Sequence, residues 1–327
     1  MRVHNNINAI TAFKNAAITI GTFDGVHRGH LQIINQLKKE AFRNDGESVI
    51  ITFHPHPRMV INKGRPDEKR MPVQLLNTLT EKIELLRRYE IDHLVIAPFT
   101  PEFSNQSAEN YISDFLVKRF NPKTIIIGYD HRFGKNRAGD YRLLEQYQQQ
   151  FQYEVKEIPE HVLHHVIISS TKIREAIIQG DIGTANEYLG YDYFFEGKVI
   201  KGNQLGRTLG YPTANLFIDD ADKLLPAYGV YAVSVSLAAE NSDNGDFKEE
   251  AHYNGMMNIG IRPTIGDNKI MTEVNIFDFN KDIYDRTLRV YVKKYLRPEI
   301  KFDNLEDLKI QIARDEEEVR RLLKVDG

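Results

Sequence analysis

Apolar residues in the first half of the chain come in two alternating patterns. Short unbroken runs, Ala16–Ile20, Val49–Phe53, His93–Ala97 and Thr124–Gly128, have the length and β-branched content of strands buried on both faces. Between them, Leu31–Leu37, Leu79–Tyr89 and Ala108–Leu116 repeat apolar residues at the three-and-four spacing of amphipathic helices. This alternation predicts an α/β unit with a parallel sheet covered on both faces, whose ligands sit beyond the carboxyl ends of the strands. Gly21–His30, His54–Pro57 and Gly128–Gly139 all follow strands at that end.

After about Gly190 the period changes to two. Glu196–Ile200, Gly229–Val235, Met271–Phe277 and Leu288–Val292 alternate apolar and polar residues with no helix between them, which predicts an antiparallel sheet or small barrel. The polar stretch Ala239–Glu249 reads as a hairpin loop, and the leucine and isoleucine spacing from Leu305 predicts one long charged terminal helix. The run Gln148–Gln150 lies in an otherwise helical pattern, and no internal repeat is present. A change of period inside 327 residues predicts two domains, divided at 184/185.

Composition narrows the chemistry. Hydrophobic content of 41% with 27% charged residues is that of an ordinary globular protein. A net charge of −3 gives no bulk reason to bind nucleic acid or an anionic membrane. The absence of cysteine excludes disulfides, thiolate zinc sites and cysteine nucleophiles, and fits a reducing compartment. No apolar run approaches the ~20 residues needed to span a bilayer, and the first residues lack the apolar core of a signal peptide. The expectation is a cytoplasmic protein.

The first candidate site is Gly21–His30, Gly-Thr-Phe-Asp-Gly-Val-His-Arg-Gly-His, between a strand and a helix. Free N–H groups and the helix dipole at such a junction face an incoming phosphate. His27 and His30, three apart, share a face of the first turn; they can chelate a metal with a third ligand, donate to a phosphate, or be turn residues without a role. Ser170 and Thr171 are good helix caps, and Arg174, one turn on, has the donor fork for a phosphate tail. Phe53-His54-Pro55-His56-Pro57 forces an extended loop off a strand end. Asp130 can bind Mg²⁺ or a nucleotide hydroxyl, or simply form a turn.

In the second half, Gly202, Gly206 and Gly210 recur every four residues without the Gly-Lys-Ser/Thr of a Walker A loop. Their amides can approach phosphates closely. Thr213 and Asn215 would share a face of an extended segment, suited to Mg²⁺. Ten of the eleven histidines lie at or before position 165 and only His252 beyond it, which favours a carboxylate base in this half; Glu273 stands in an alternating strand, either as that base or as an outward-facing strand residue.

These motifs resemble a known family. His27-Arg28-Gly29-His30 and Ile168–Arg174 are similar to the two signatures of nucleotidylyltransferases. Gly128–Gly134 resembles a segment of bacterial FAD synthetases, although that family often has phenylalanine where His131 stands. Pro212-Thr213-Ala214-Asn215 resembles the riboflavin kinase signature, and Pro226–Tyr231, Asn258–Thr264, Glu273–Phe277 and Arg297–Asp315 look like further parts of it. The chain is therefore identified as a member of the bifunctional riboflavin kinase/FMN adenylyltransferase family. The resemblance implies a Rossmann-like nucleotidyltransferase domain followed by an antiparallel flavin-kinase β-barrel with a long terminal helix. It implies that ATP phosphorylates riboflavin to FMN in the second domain, with Glu273 as base, Thr213 and Asn215 on Mg²⁺, and Gly202, Gly206 and Gly210 near the phosphates. It implies that a second ATP adenylylates FMN to FAD in the first. There His27 and His30 act at the α-phosphate, Gly21, Phe23, Asp24, Gly29, Ser170, Thr171 and Arg174 hold ATP, and His54, Pro55 and Asp130 hold flavin or nucleotide. Two other readings use the same residues: a nucleotidyltransferase half with a different acceptor, for which His131 is the departure, and a flavin-nucleotide-binding regulatory module without turnover, which has no need of Glu273.

Overall fold

A computed structural model describes residues 1–63, 73–158, 168–202, 205–239, 247–264 and 267–323. Its contacts divide the chain into two compact units, Met1–Ser170 and Thr171–Gly327.

The first unit is built on a six-stranded parallel sheet. Its strands are β1 (Arg2–His4), β2 (Ala17–Ile20), β3 (Ser48–His54), β4 (His93–Pro98), β5 (Thr124–Gly128) and β6 (Glu154–Ile158), in spatial order β1-β4-β3-β2-β5-β6. The four expected strands are all present. The edge strands β1 and β6 were not expected, since one has three residues and the other two buried positions out of five. Helices α1 (Arg28–Arg43), α2 (Pro57–Lys63), α3 (Leu79–Arg87), α4 (Pro101–Ser104) and α7 (Tyr141–Phe151) fall between strands. Ile18, Thr19 and Ile20 are all buried, as a strand covered on both faces requires. Ile18, Ile20, Val49, Ile51, Ile125 and Ile127 pack in one core with the aromatic cluster Tyr111, Phe115 and Phe120.

The expected helix at 108–116 differs in kind. It starts as α5 (Ala108–Asn110), widens to π-turns over Tyr111–Val117 and closes as α6 (Lys118–Phe120). The wider turn changes the angular spacing of the side chains along the helix, and here Tyr111 and Phe115 sit 5.1 Å apart in the aromatic core. Helix α3 begins with a capping box, Thr78 and Glu81 each bonding the other's backbone N–H. The glutamine run lies in α7, and Gln148 Oε1 accepts the Val155 N–H at 2.8 Å, tying α7 to β6.

Helix α8 (Ser170–Ile178) begins at the division, and α9 (Ile182–Leu189) follows it. Six strands then close a barrel in the order β10-β11-β8-β7-β12-β9: β7 (Phe194–Ile200), β8 (Ala214–Phe217), β9 (Gly229–Ala238), β10 (Glu249–Thr264), β11 (Asp267–Ile276) and β12 (Thr287–Arg297). A short helix, α10 (Leu205–Thr208), precedes β8, and α11 (Leu305–Leu323) is the expected terminal helix. Val319 of α11 packs on Ala232, Met256 and Phe277 of the barrel wall. Of the expected hairpin loop, 240–246 lies outside the described residues; at its base the Ala239 N–H donates to Lys248 O at 2.8 Å.

Candidate active sites

In the first unit β2 lies between β3 and β5, where the strand order turns back on itself. The loops leaving these three neighbours carry Gly21–His30, His54–Pro57 and Gly128–Gly139, so the topology brings the sequence-predicted stretches to one end of the sheet, where α/β folds bind ligands.

The Gly21–His30 turn is backbone-driven. Gly21 N–H donates to Ile51 O at 3.0 Å, extending the strand pairing by one residue. Phe23, Gly25 and Val26 then take φ of 47°, 87° and 37°, a costly conformation for a β-branched residue and one found where function over-determines the backbone. His27 is the N-cap of α1 and makes no side-chain capping bond, while its carbonyl accepts the His30 N–H at 2.8 Å. The His27 and His30 rings stack at 3.7 Å, and the Phe23 ring lies 4.9 Å from His30. A Cβ on Gly29 would stand 3.1 Å from the His27 ring, so this position must be small for the stack to form.

His30 has its pKa held well below the ordinary 6.5, chiefly by burial, then by His27 and Lys82. Its Nδ1 is buried without a hydrogen-bond partner. A proton there would be unsatisfied. His30 is therefore a neutral ring whose N–H is on Nε2.

A buried polar clasp behind the turn was missed in the sequence. Thr22 O accepts from Lys82 Nζ at 2.8 Å and from the Thr52 hydroxyl at 3.1 Å. The Asp24 carboxylate accepts the N–H groups of Leu76 and Asn77 at 3.0 and 3.3 Å, and Asp24 O accepts the Ser170 hydroxyl at 2.9 Å. Asp24 and Lys82 are buried, and burial lowers the Lys82 pKa while Asp24 opposes the shift. Asp24 and Ser170 thus have structural partners in addition to any ligand. Lys82 left a signal: it lies three residues from Leu79 and four from Leu86, on the apolar face of α3.

Thr171 is exposed and Arg174 half-buried on α8. His54 and Pro55, joined by a cis peptide, are exposed at the end of β3, and Asp130 is exposed after β5. Beside it, His131 is pushed down to about 4, mainly by burial and further by Arg137 and Arg132 against the pull of Asp130. Its Nε2 is buried without a partner.

In the second unit a cavity of about 440 Å³ opens in the barrel and is lined by Thr213, Asn258, Glu273, Asn275, Arg297 and Glu299 among others. Strand register sets its chemistry. Glu273 of β11 lies directly opposite Asn215 of β8 and Asn258 of β10. Directly opposed residues point to the same face, so Asn215, Glu273 and Asn258 form a row across three strands. Asn215 is buried, and its Oδ1 has no hydrogen-bond partner. Asn275 Nδ2 donates to Pro212 O at 2.7 Å, pinning the segment that carries Thr213.

The three glycines expected near phosphates have separate roles. A Cβ at Gly202 would meet the Asn215 amide at 2.2 Å, one at Gly206 would meet Tyr211 O at 2.3 Å, and Gly210 has φ +87°. Of the three, Gly206 lines the cavity. Sequence reasoning also missed Glu299 and the ion pair of Arg297 with Asp315, whose three bonds measure 2.9, 3.1 and 2.6 Å.

An α/β unit with a stacked histidine pair at a helix N-terminus, followed by a closed barrel with a carboxylate in its cavity, has the make-up of a protein with two nucleotide-dependent transfer sites. Known sequences agree. Residues 9–172 match the FAD synthetase family and residues 189–323 match the riboflavin kinase family. The bifunctional riboflavin kinase/FMN adenylyltransferase of Haemophilus influenzae is 36% identical over 310 residues, covering 95% of each chain. That of Escherichia coli K12 is 33% identical over 303 residues, covering 93% of this chain and 91% of the relative. A solved structure from Streptococcus pneumoniae, described as a macrolide-efflux protein, is 31% identical with a TM-score of 0.83 and covers 98% of both chains. Among the described residues no helix is long and apolar enough to cross a membrane.

The chain belongs to the bifunctional riboflavin kinase/FMN adenylyltransferase family. It makes FAD in two steps, with ATP, riboflavin, FMN and FAD as substrates and products.

Proposed function

We propose a division of labour among the residues of the two units. The kinase reading rests above all on one observation, the register that sets Glu273 opposite Asn215 on the cavity face. The terminal hydroxyl of riboflavin attacks the γ-phosphorus of ATP, Glu273 takes the hydroxyl proton, and ADP leaves. Phosphoryl transfer asks for positioning and charge neutralisation more than covalent chemistry. The unpartnered buried Oδ1 of Asn215, with Thr213 on the cavity wall, suits a hard cation. These two residues would hold Mg²⁺, which when bound neutralises phosphate charge. Gly206 keeps the wall thin beside them.

In the other unit a phosphate oxygen of FMN, already ionised at neutral pH, attacks the α-phosphorus of the second ATP, and pyrophosphate leaves. His27 and His30 donate to the α-phosphate oxygens as charge develops there. Gly21 and Gly29 leave room for phosphate, with Phe23 beneath the histidine stack and Asp24 holding the turn. The family resemblance assigns Ser170, Thr171 and Arg174 to the β- and γ-phosphates. His54, Pro55 and Asp130, at neighbouring strand ends, border the flavin nucleotide. We assign these activities to 1–184 and 185–327, a division that falls between the two family matches. The cysteine-free composition supports a cytoplasmic setting.

Each half is tested in the full chain by following flavins chromatographically. Glu273→Gln should lose FMN formation at least a hundredfold and still make FAD from supplied FMN. The double change of His27 and His30 to Ala should do the reverse. If Glu273→Gln phosphorylates riboflavin normally, the base assignment is wrong; if the histidine variant adenylylates FMN normally, the phosphate role is wrong.

A further inference from the structure

The kinase cavity holds a second carboxylate that the transfer chemistry does not use. Glu299 lies in the connection between β12 and α11, and its Oε1 accepts from Asn258 Nδ2 at 3.1 Å. The carboxylate rests on Gly260, where a Cβ would stand 2.0 Å from Oε1 and 2.7 Å from Oε2. Gly260 is two residues beyond Asn258 on β10 and therefore on the same cavity face. The polar row across the barrel thus has a fourth member, in the order Asn215, Glu273, Asn258, Glu299.

The segment carrying Glu299 is held at its start. Arg297 lies two residues before it and pairs with the buried Asp315 of α11, which also accepts from Gln311 at 2.8 Å. The same segment puts Ile300 and Phe302 into the cavity wall, beside Leu308 and Ile312 of α11. The cavity wall therefore combines the polar row with an apolar patch next to Glu299.

The order of the row fixes the direction of a substrate. The phosphate donor lies at the Asn215 end, and the attacking hydroxyl must sit between it and the base. Any further hydroxyls of the acceptor then trail away from the phosphates, along Asn258 toward Glu299. We propose that Glu299 is a specificity-determining residue of the kinase site, accepting hydrogen bonds from the inner hydroxyls of the flavin's polyol chain, so that the kinase selects flavins with a polyhydroxylated side chain. Asn258 satisfies the carboxylate when no polyol is present, and the apolar wall of Ile300, Phe302 and Ile312 receives the ring. No bond is made or broken at Glu299. The inference rests on Glu273 as base, since that residue sets which way the chain points.

The test compares riboflavin with a flavin bearing a 5-hydroxypentyl chain, which keeps the terminal hydroxyl and lacks the inner ones. In the full-length protein, Glu299→Ala should raise KM for riboflavin about tenfold, the size of one charge-assisted hydrogen bond. KM for the hydroxypentyl flavin and for MgATP should move less than twofold. The preference for riboflavin, as a ratio of kcat/KM values, should shrink by the same tenfold, while FAD synthesis from FMN is unchanged. Glu299→Gln, which keeps one acceptor oxygen, should lie between. A variant that weakens both flavins equally has lost only packing and overturns the proposal, as does an unchanged ratio. If Glu299→Ala is insoluble, the ratio is read on Glu299→Gln. Failure of the base assignment would show separately, as an active Glu273→Gln.

Discussion

His27 and His30 face each other at 3.7 Å, and two imidazoles so close and so buried cannot both carry charge at neutral pH. In the phosphate role proposed for them, they would act as N–H donors, with positive charge left to Lys82 and the helix end. Buried neutral histidines also have a cost at low pH. The unfolded chain takes up protons near pH 6.5, whereas folded His131 takes one only near 4. Between these values the unfolded state binds more protons, so stability falls as pH falls through 6.5. Urea unfolding between pH 7.5 and 5 should show this loss, and His131→Phe should show a shallower one. An unchanged pH dependence in the variant would assign the loss to other groups.

At the scale of elements, α3 and the connection from β12 to α11 carry weight that their sequences conceal in part. Lys82 of α3 donates to Thr22 O beneath the strained turn. Lys82→Met keeps the length and removes the donor, and should cut FAD formation from FMN at least tenfold while riboflavin phosphorylation persists. Equal loss of both activities would indicate general unfolding. On the other unit, Asp315→Ala leaves Arg297 without its carboxylate and should destabilise the barrel by about 3 kcal/mol, read as a lowered denaturation midpoint with weakened riboflavin binding.

The long elements were legible because period and burial coincide: Val49–Phe53 is apolar throughout and buried throughout, and α11 repeats its leucines. β8 was hidden because it has four residues and is read as a signature before it is read as a strand. β10 was hidden because Asn254, Gly255 and Asn258 interrupt its apolar pattern: Asn254 is exposed, Gly255 lies against the Asn275 backbone, and Asn258 lines the cavity. The same holds for the sites. Motif residues such as His27 and Glu273 announce themselves, whereas Glu299 acquires its place only when Gly260 and Asn258 are brought beneath it.

For the whole molecule, the kinase cavity is lined entirely by residues of one contact unit, and the histidine pair belongs to the other. An equimolar mixture of Glu273→Gln with the His27/His30 double variant should therefore convert riboflavin to FAD. FMN released by one chain would be used by another, and the lag should shorten as protein concentration rises. A mixture that accumulates FMN while FAD stays absent would mean that released FMN does not reach the second enzyme.

The closed barrel also bears on how the chain is made. The parallel sheet has all six strands once Ile158 has been synthesised. β7 pairs with β8 early, but its other edge must wait for β12, since Lys198 also pairs with Thr287. Pairings of such long range are slow to form. A nascent chain stopped before residue 287 would carry a finished adenylyltransferase sheet and an open barrel, so translation itself would deliver the second enzyme of the sequence before the first.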